Sequence, residues 1–186
     1  VTEDPKYAMI ATNHARNTAK NQFREDYSNY HVVNYDENTG KVLHKATCQG
    51  FSDNSAWARG QAWAIYGFTM VYRETGDSKY LSVAQKMADF FLHNPSLPED
   101  KVPLWDFNAG QDGYTKKWKF DETKIGYIPR DASAAAIAAS ALFELYQYTK
   151  NPEYYDSAVT MIYSLASEQY RAVPGSNAGF LLMHST

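Results

Sequence analysis

The chain has almost no cysteine. Cys48 stands alone, so neither a disulfide framework nor a cysteine-based zinc site can be built within the sequence. Positive charge is not in excess either: the net charge is -3 and the pI about 5.9, and no basic stripe marks a nucleic-acid footprint. No apolar run approaches the ~18 residues that a membrane-spanning helix needs. His14, His44 and His184 have no partner at metal-ligand spacing. We therefore expect no metal, no cofactor, no nucleic acid and no membrane among its ligands.

Aromatic residues are plentiful. They make up 15% of the 186 residues, with fifteen Tyr and four Trp. That profile suits a carbohydrate-binding surface, and it equally suits a tightly packed helical core. The length is enough for one domain with a real core.

Three helix starts repeat along the chain. Asp4-Pro5-Lys6-Tyr7 is followed by Ala11, Asp77-Ser78-Lys79-Tyr80 by Ala84, and Asn151-Pro152-Glu153-Tyr154 by Ala158. Each opens on a residue that caps helix N-termini, and two continue with Pro at the first helical position. Self-similarity at a fixed period is the mark of stacked supersecondary units. The spacing predicts outer helices over about 5–22, 78–93 and 152–169, and inner helices over about 55–74 and 131–149. The second inner helix carries Ala132, Ala134, Ala135, Ala136, Ala138, Ala139 and Ala141. Side chains that small predict close approach to neighbours on more than one side.

Long excursions join outer to inner helices, and loops beyond ~12–15 residues are often functional. The first holds Tyr30-His31-Val32-Val33-Asn34-Tyr35, a turn at Asn38-Thr39-Gly40, and Lys41-Val42-Leu43-His44. Alternating apolar residues around a Gly turn predict a small hairpin. The second holds Val102-Pro103-Leu104-Trp105-Asp106-Phe107 and runs to Arg130. Both end at the N-terminus of an inner helix, where a pocket would form.

The candidate chemistry gathers there. Arg59 and Trp63 are four residues apart and share a helix face. Trp57 lies near the helix start, with Ser55, Asn54 or Asp53 as candidate caps. Aromatic faces beside a fixed guanidinium suit an anionic sugar, although an Arg paired with a core carboxylate and two packing Trp would look the same. His31 can hydrogen-bond a hydroxyl or serve structurally, and Gln49 can donate and accept toward hydroxyls. Asp53, Asp106 and Asp131 all lie near excursion ends, and Asp131 reads first as a helix cap. Glycosidases commonly need two carboxylates, and no pair here stands out as acid and base.

Taken together, Tyr30-His31-Val32-Val33, Gln49-Gly50-Phe51, Trp57-Ala58-Arg59-Gly60-Gln61-Ala62-Trp63, Trp105-Asp106-Phe107 and Arg130-Asp131-Ala132-Ser133-Ala134-Ala135-Ala136 resemble the unsaturated glucuronyl hydrolase family, glycoside hydrolase family 88. The related unsaturated rhamnogalacturonyl hydrolases share a similar tryptophan–arginine run, but Gln61-Ala62-Trp63 favours the first family. The resemblance implies an all-α fold, part of an (α/α)6 barrel made of helical hairpin repeats with a small β-hairpin excursion. It implies removal of 4,5-unsaturated uronic acid from lyase-generated oligosaccharides by hydration of the vinyl ether double bond. An aspartic acid would protonate C4 and help activate the water that adds at C5, and the resulting hemiketal would open. His31, Gln49, Trp57, Arg59 and Trp63 correspond to substrate-binding positions of the family. A bacterial cytoplasm and a periplasm both fit.

The family's aspartates are expected N-terminal to the segment that matches Val1, so no catalytic residue is assigned within this chain. The sequence opens without Met and ends in or just after an apolar run, whereas natural ends are more often polar. We expect residues 1–186 to be a single partial domain, the middle-to-late portion of the barrel, inactive by itself and open to self-association through uncovered helix faces. A non-catalytic sugar-binding helical module is the alternative. A helical scaffold for protein partners is a third reading, which the long aromatic loops disfavour.

Overall fold

Three helices start by the same device. In the computed structural model, which describes residues 4–117 and 126–185, Asp4 accepts a hydrogen bond from Lys6 N at 2.9 Å, Asp77 from Lys79 N at 3.1 Å and Asn151 from Glu153 N at 3.1 Å. They open α1 (Pro5–Asn21), α3 (Ser78–Leu92) and α5 (Pro152–Ala166). The inner helices are α2 (Ala58–Thr75) and α4 (Ala132–Thr149). A left-handed Gly76 at φ 68° ends α2, and Asp77 starts α3 directly after it. Lys150, at φ 58°, makes the same turn from α4 into α5.

Two sequence expectations need correction. The cap of α2 is none of Ser55, Asn54 or Asp53. Trp57 occupies the cap position and supplies no side-chain hydrogen bond, because Asp53 and Ser55 are engaged in the preceding loop. Helix α5 stops at Ala166 rather than near residue 169, where Ser167 turns extended with ψ 163°.

The hairpin is present as β1 (Val32–Tyr35) and β2 (Val42–Ala46), antiparallel, with Val32 opposite Ala46 and a bulge between Asn34 and Tyr35. Asp36 closes its turn by accepting from Thr39 N at 2.7 Å.

The helices form two rows. In the inner row α2 lies against α4; α3 backs α2 and α5 backs α4. Helix α4 is therefore wrapped on two sides, and its apolar residues run round it rather than along one stripe. Ala132, Ala134, Ala135, Ala138, Ala139, Ala141, Leu142 and Leu145 are all fully buried. Alanine forms helix best and lets backbones approach closely. Ile65, Met87, Phe91, Phe107, Met161 and Tyr154 complete the core.

At the N-terminal ends of the inner helices, three extended segments zip together. Trp57 bridges Asp106, and Leu104 bridges Arg130. Ala58 N donates to Trp105 O at 3.0 Å, Phe107 N to Ala56 O at 3.0 Å, Trp105 N to Pro129 O at 2.9 Å and Asp131 N to Pro103 O at 2.9 Å. Asp100 braces the same rim by accepting from Arg130 at 3.1 Å and from the Tyr170 hydroxyl at 2.8 Å. This rim fixes the first turns of α2 and α4 relative to each other. The stretch 118–125 of the second excursion lies outside the described residues.

Candidate functional site

The site is built on the loop that precedes α2. His31 sits just before β1. Its Nδ1 accepts from Cys48 N and from Gln49 N, each at 3.2 Å. Two N–H donors aimed at Nδ1 assign the ring proton to Nε2, leaving an N–H to offer outward. Burial, and then the nearby Arg59 guanidinium, hold the His31 pKa below the ordinary histidine value. The ring stacks on the Trp57 indole with centroids 4.3 Å apart. His31 is thus a neutral donor.

Trp57 is only 7% exposed. It acts as a wall more than an open platform, carrying His31 against its ring and the Arg59 guanidinium 4.9 Å from its centroid. Gly60 is part of that fit, since a Cβ there would stand 3.1 Å from Trp57 Cε3. Trp63, 52% exposed, is the open aromatic surface. A mainly apolar cavity of about 490 Å³ between α1 and α2 brings His31, Trp57 and Trp63 together with His14, Thr18 and Gly60. Arg59 and Gln49 do not line it. Arg59 joins the cluster through Trp57, and Gln49 through its backbone N–H on His31. The first turn of α2 has no side-chain cap, although Ala58 N donates to Trp105 O, and its positive dipole end adds to the Arg59 guanidinium in favouring an anion.

Arg59 is paired as well as available. Its Nη1 donates to Asp131 Oδ2 at 2.9 Å, with the Asp131 side chain fully buried and that of Arg59 18% exposed. Asp131 also caps α4 by accepting from Ala134 N at 3.0 Å, as its sequence position predicted. Burial pushes its carboxyl above the usual range, while the cap donor and Arg59 pull it back.

The other carboxylates are also engaged. Asp106 is fully buried and accepts from Ser55 Oγ at 2.6 Å, Phe51 N at 2.8 Å and Asn108 N at 3.0 Å. Burial raises its pKa against those three donors. It pins the 50–55 loop, which passes so close that a Cβ on Gly50 would stand 2.5 Å from Thr47 Oγ1 and 3.0 Å from Asp106 Oδ2. Asp53 accepts from Lys117 at 2.6 Å and Thr47 N at 2.8 Å. The Lys117 hydrogen bond leads in holding its carboxyl low. None of the three is a free acid or base. Among the described residues, no group of three or more His, Cys, Asp or Glu is arranged to hold a metal ion.

Sequence reasoning passed over Gln61 and Arg24. Gln61 is buried, accepts from Asn29 N at 2.8 Å and donates to Asn29 Oδ1 at 2.8 Å. Arg24 donates to Asn29 O at 2.9 Å and Ser55 O at 3.0 Å. Together they anchor the segment that carries His31. The available signal was a Gln on the same helix face as Ala58, Ala62 and Ile65, since a polar side chain on a core face needs a partner.

No family model matches the chain. Over all 186 residues it is 49% identical to an unsaturated glucuronyl hydrolase of Formosa agariphila, of which it covers 43%. It is 39% identical over 174 residues to an unsaturated chondroitin disaccharide hydrolase of Streptococcus agalactiae, covering 91% of this chain and 40% of that protein. The crystal structure of an unsaturated glucuronyl hydrolase specific for heparin superposes with a TM-score of 0.86 at 43% identity, over 98% of this chain and 46% of that one. The chain thus spans less than half the length of these relatives. Its architecture is the partial α/α toroid with a small β-hairpin seen in such structures.

Proposed function

This chain belongs to the unsaturated glucuronyl hydrolase family, and from that we propose that the protein containing it removes 4,5-unsaturated uronic acid from the non-reducing end of oligosaccharides. The relatives' names supply the substrate class, chondroitin- and heparin-derived sugars. The observation that carries the reading is the cluster on Trp57: a neutral His31 whose Nε2–H has no partner among the described residues, and a guanidinium on a helix start that has no side-chain cap. Arg59 takes the uronate carboxylate, His31 and the Gln49 side chain take ring oxygens, and Trp57 and Trp63 bound the sugar's apolar side. The reaction is hydration of the C4–C5 double bond: a proton adds at C4, water adds at C5, and the hemiketal opens to release the remaining sugar.

In this proposal residues 1–186 form a single partial domain of an (α/α)6 barrel, and the proton donor comes from outside them. Asp53, Asp106 and Asp131 support that, because each is held by an ion pair or by several donors. By itself the chain is inactive, and its uncovered apolar helix faces associate with one another.

The test follows the ultraviolet absorbance of the unsaturated uronate on an unsaturated chondroitin disaccharide. We expect absorbance loss with the full-length protein and none with residues 1–186. No loss with the full-length protein on chondroitin, hyaluronan, heparin or gellan disaccharides sinks the reading. Loss with residues 1–186 shows instead that one of the three aspartates does the chemistry.

A further inference from the structure

We infer that Asp131 is a positioning residue for Arg59, one carboxylate serving two helices at once. The inference rests on the reading of Arg59 as the contact for the uronate carboxylate. Asp131 is held by contacts other than Arg59. Its backbone N donates to Pro103 O at 2.9 Å, its Oδ1 accepts from Ala134 N at 3.0 Å, and its side chain is fully buried. The remaining oxygen, Oδ2, takes Arg59 Nη1 at 2.9 Å, across 72 residues of sequence. Among the described residues, the guanidinium's other close contact is the Trp57 ring, 4.9 Å away. A long, rotamer-rich side chain is thereby held in one orientation, and one N–H of its fork is used while the rest stays open to a ligand.

Only a carboxylate can do this. Both of its oxygens accept, one for each helix. Asparagine has one acceptor and one donor, so its N–H must face either Ala134 N or the guanidinium. Asp131 also carries charge of the same sign as the ligand. That repulsion is the smaller effect, because the Arg59 guanidinium touches Asp131 at 2.9 Å and, in this proposal, stands between it and the uronate carboxylate.

The experiment uses the full-length protein with Asp131→Asn, Arg59→Ala and the double variant. Steady-state kinetics are run on an unsaturated chondroitin disaccharide and on the same sugar with its uronate methyl-esterified. Loss of one charge-assisted hydrogen bond predicts a KM about tenfold higher for the anionic substrate, with a much smaller change in kcat. The ester should show no such rise, and Asp131→Asn should add nothing in the Arg59→Ala background. Equal effects on both substrates, additivity with Arg59→Ala, or an unchanged or lower KM overturns the proposal. If Arg59→Ala leaves KM unchanged, the reading of Arg59 itself has failed. Should Asp131→Asn not fold, Asp131→Ser keeps a helix cap while leaving Arg59 without an acceptor, and the same comparison decides.

Discussion

At the scale of single residues, the protonation state of His31 organises the site. Protonating Nδ1 would break the bonds from Cys48 N and Gln49 N together, so the folded state resists it. The folded pKa lies below the ordinary value, so between the two values the unfolded chain binds more protons. The stabilisation from neutral His31 is therefore complete above the unfolded pKa and is lost as pH falls through the folded one. We expect an NMR titration of His31 in the full-length protein to give a midpoint below the ordinary histidine range, with substrate binding weakening over that window. A midpoint above that range would contradict the assigned tautomer. Gly60 and Gly50 belong to the same scale. Each is small because the Trp57 ring or the Thr47 hydroxyl occupies the space a side chain would need.

Among the elements, α4 depends on its alanines and α2 on its neighbours. Ala138 is fully buried on a helix packed from two sides. Ala138→Leu should destabilise the full-length protein by about 1–3 kcal/mol through overpacking, read as a lower denaturant midpoint at constant slope. An unchanged midpoint would mean that the inner helices are not in close contact there. The starts of α1, α3 and α5 were legible because an Asn or Asp cap acts within two residues. The start of α2 was not. Ser55 and Asp53 have the right chemistry for caps, but they find stronger partners in Asp106 and Lys117, each more than fifty residues away. The hairpin was legible from alternation and its Gly turn.

Over the whole molecule, several large apolar residues on the outer helices are exposed. Tyr7, Met9 and Ile10 on α1, and Ile162 and Tyr163 on α5, are all at least 46% exposed. Clusters of that kind drive association. Light scattering on residues 1–186 should show mass rising with concentration, and Ile10→Lys with Tyr163→Lys should suppress the rise. A monomer at every concentration would refute this. The sequence by itself determined the helical repeat, the caps of α1, α3, α4 and α5 and the hairpin, because those depend on residues close together or on side-chain period, while the family was legible as a resemblance of its motifs. Tertiary structure alone decided that Asp131 meets Arg59, that Asp106 pins the loop before α2, and that Gln61 holds the segment behind His31. Those contacts close only when the two excursions fold onto the inner helix ends. No local pattern ranks one buried acceptor above another until burial has removed water as the alternative.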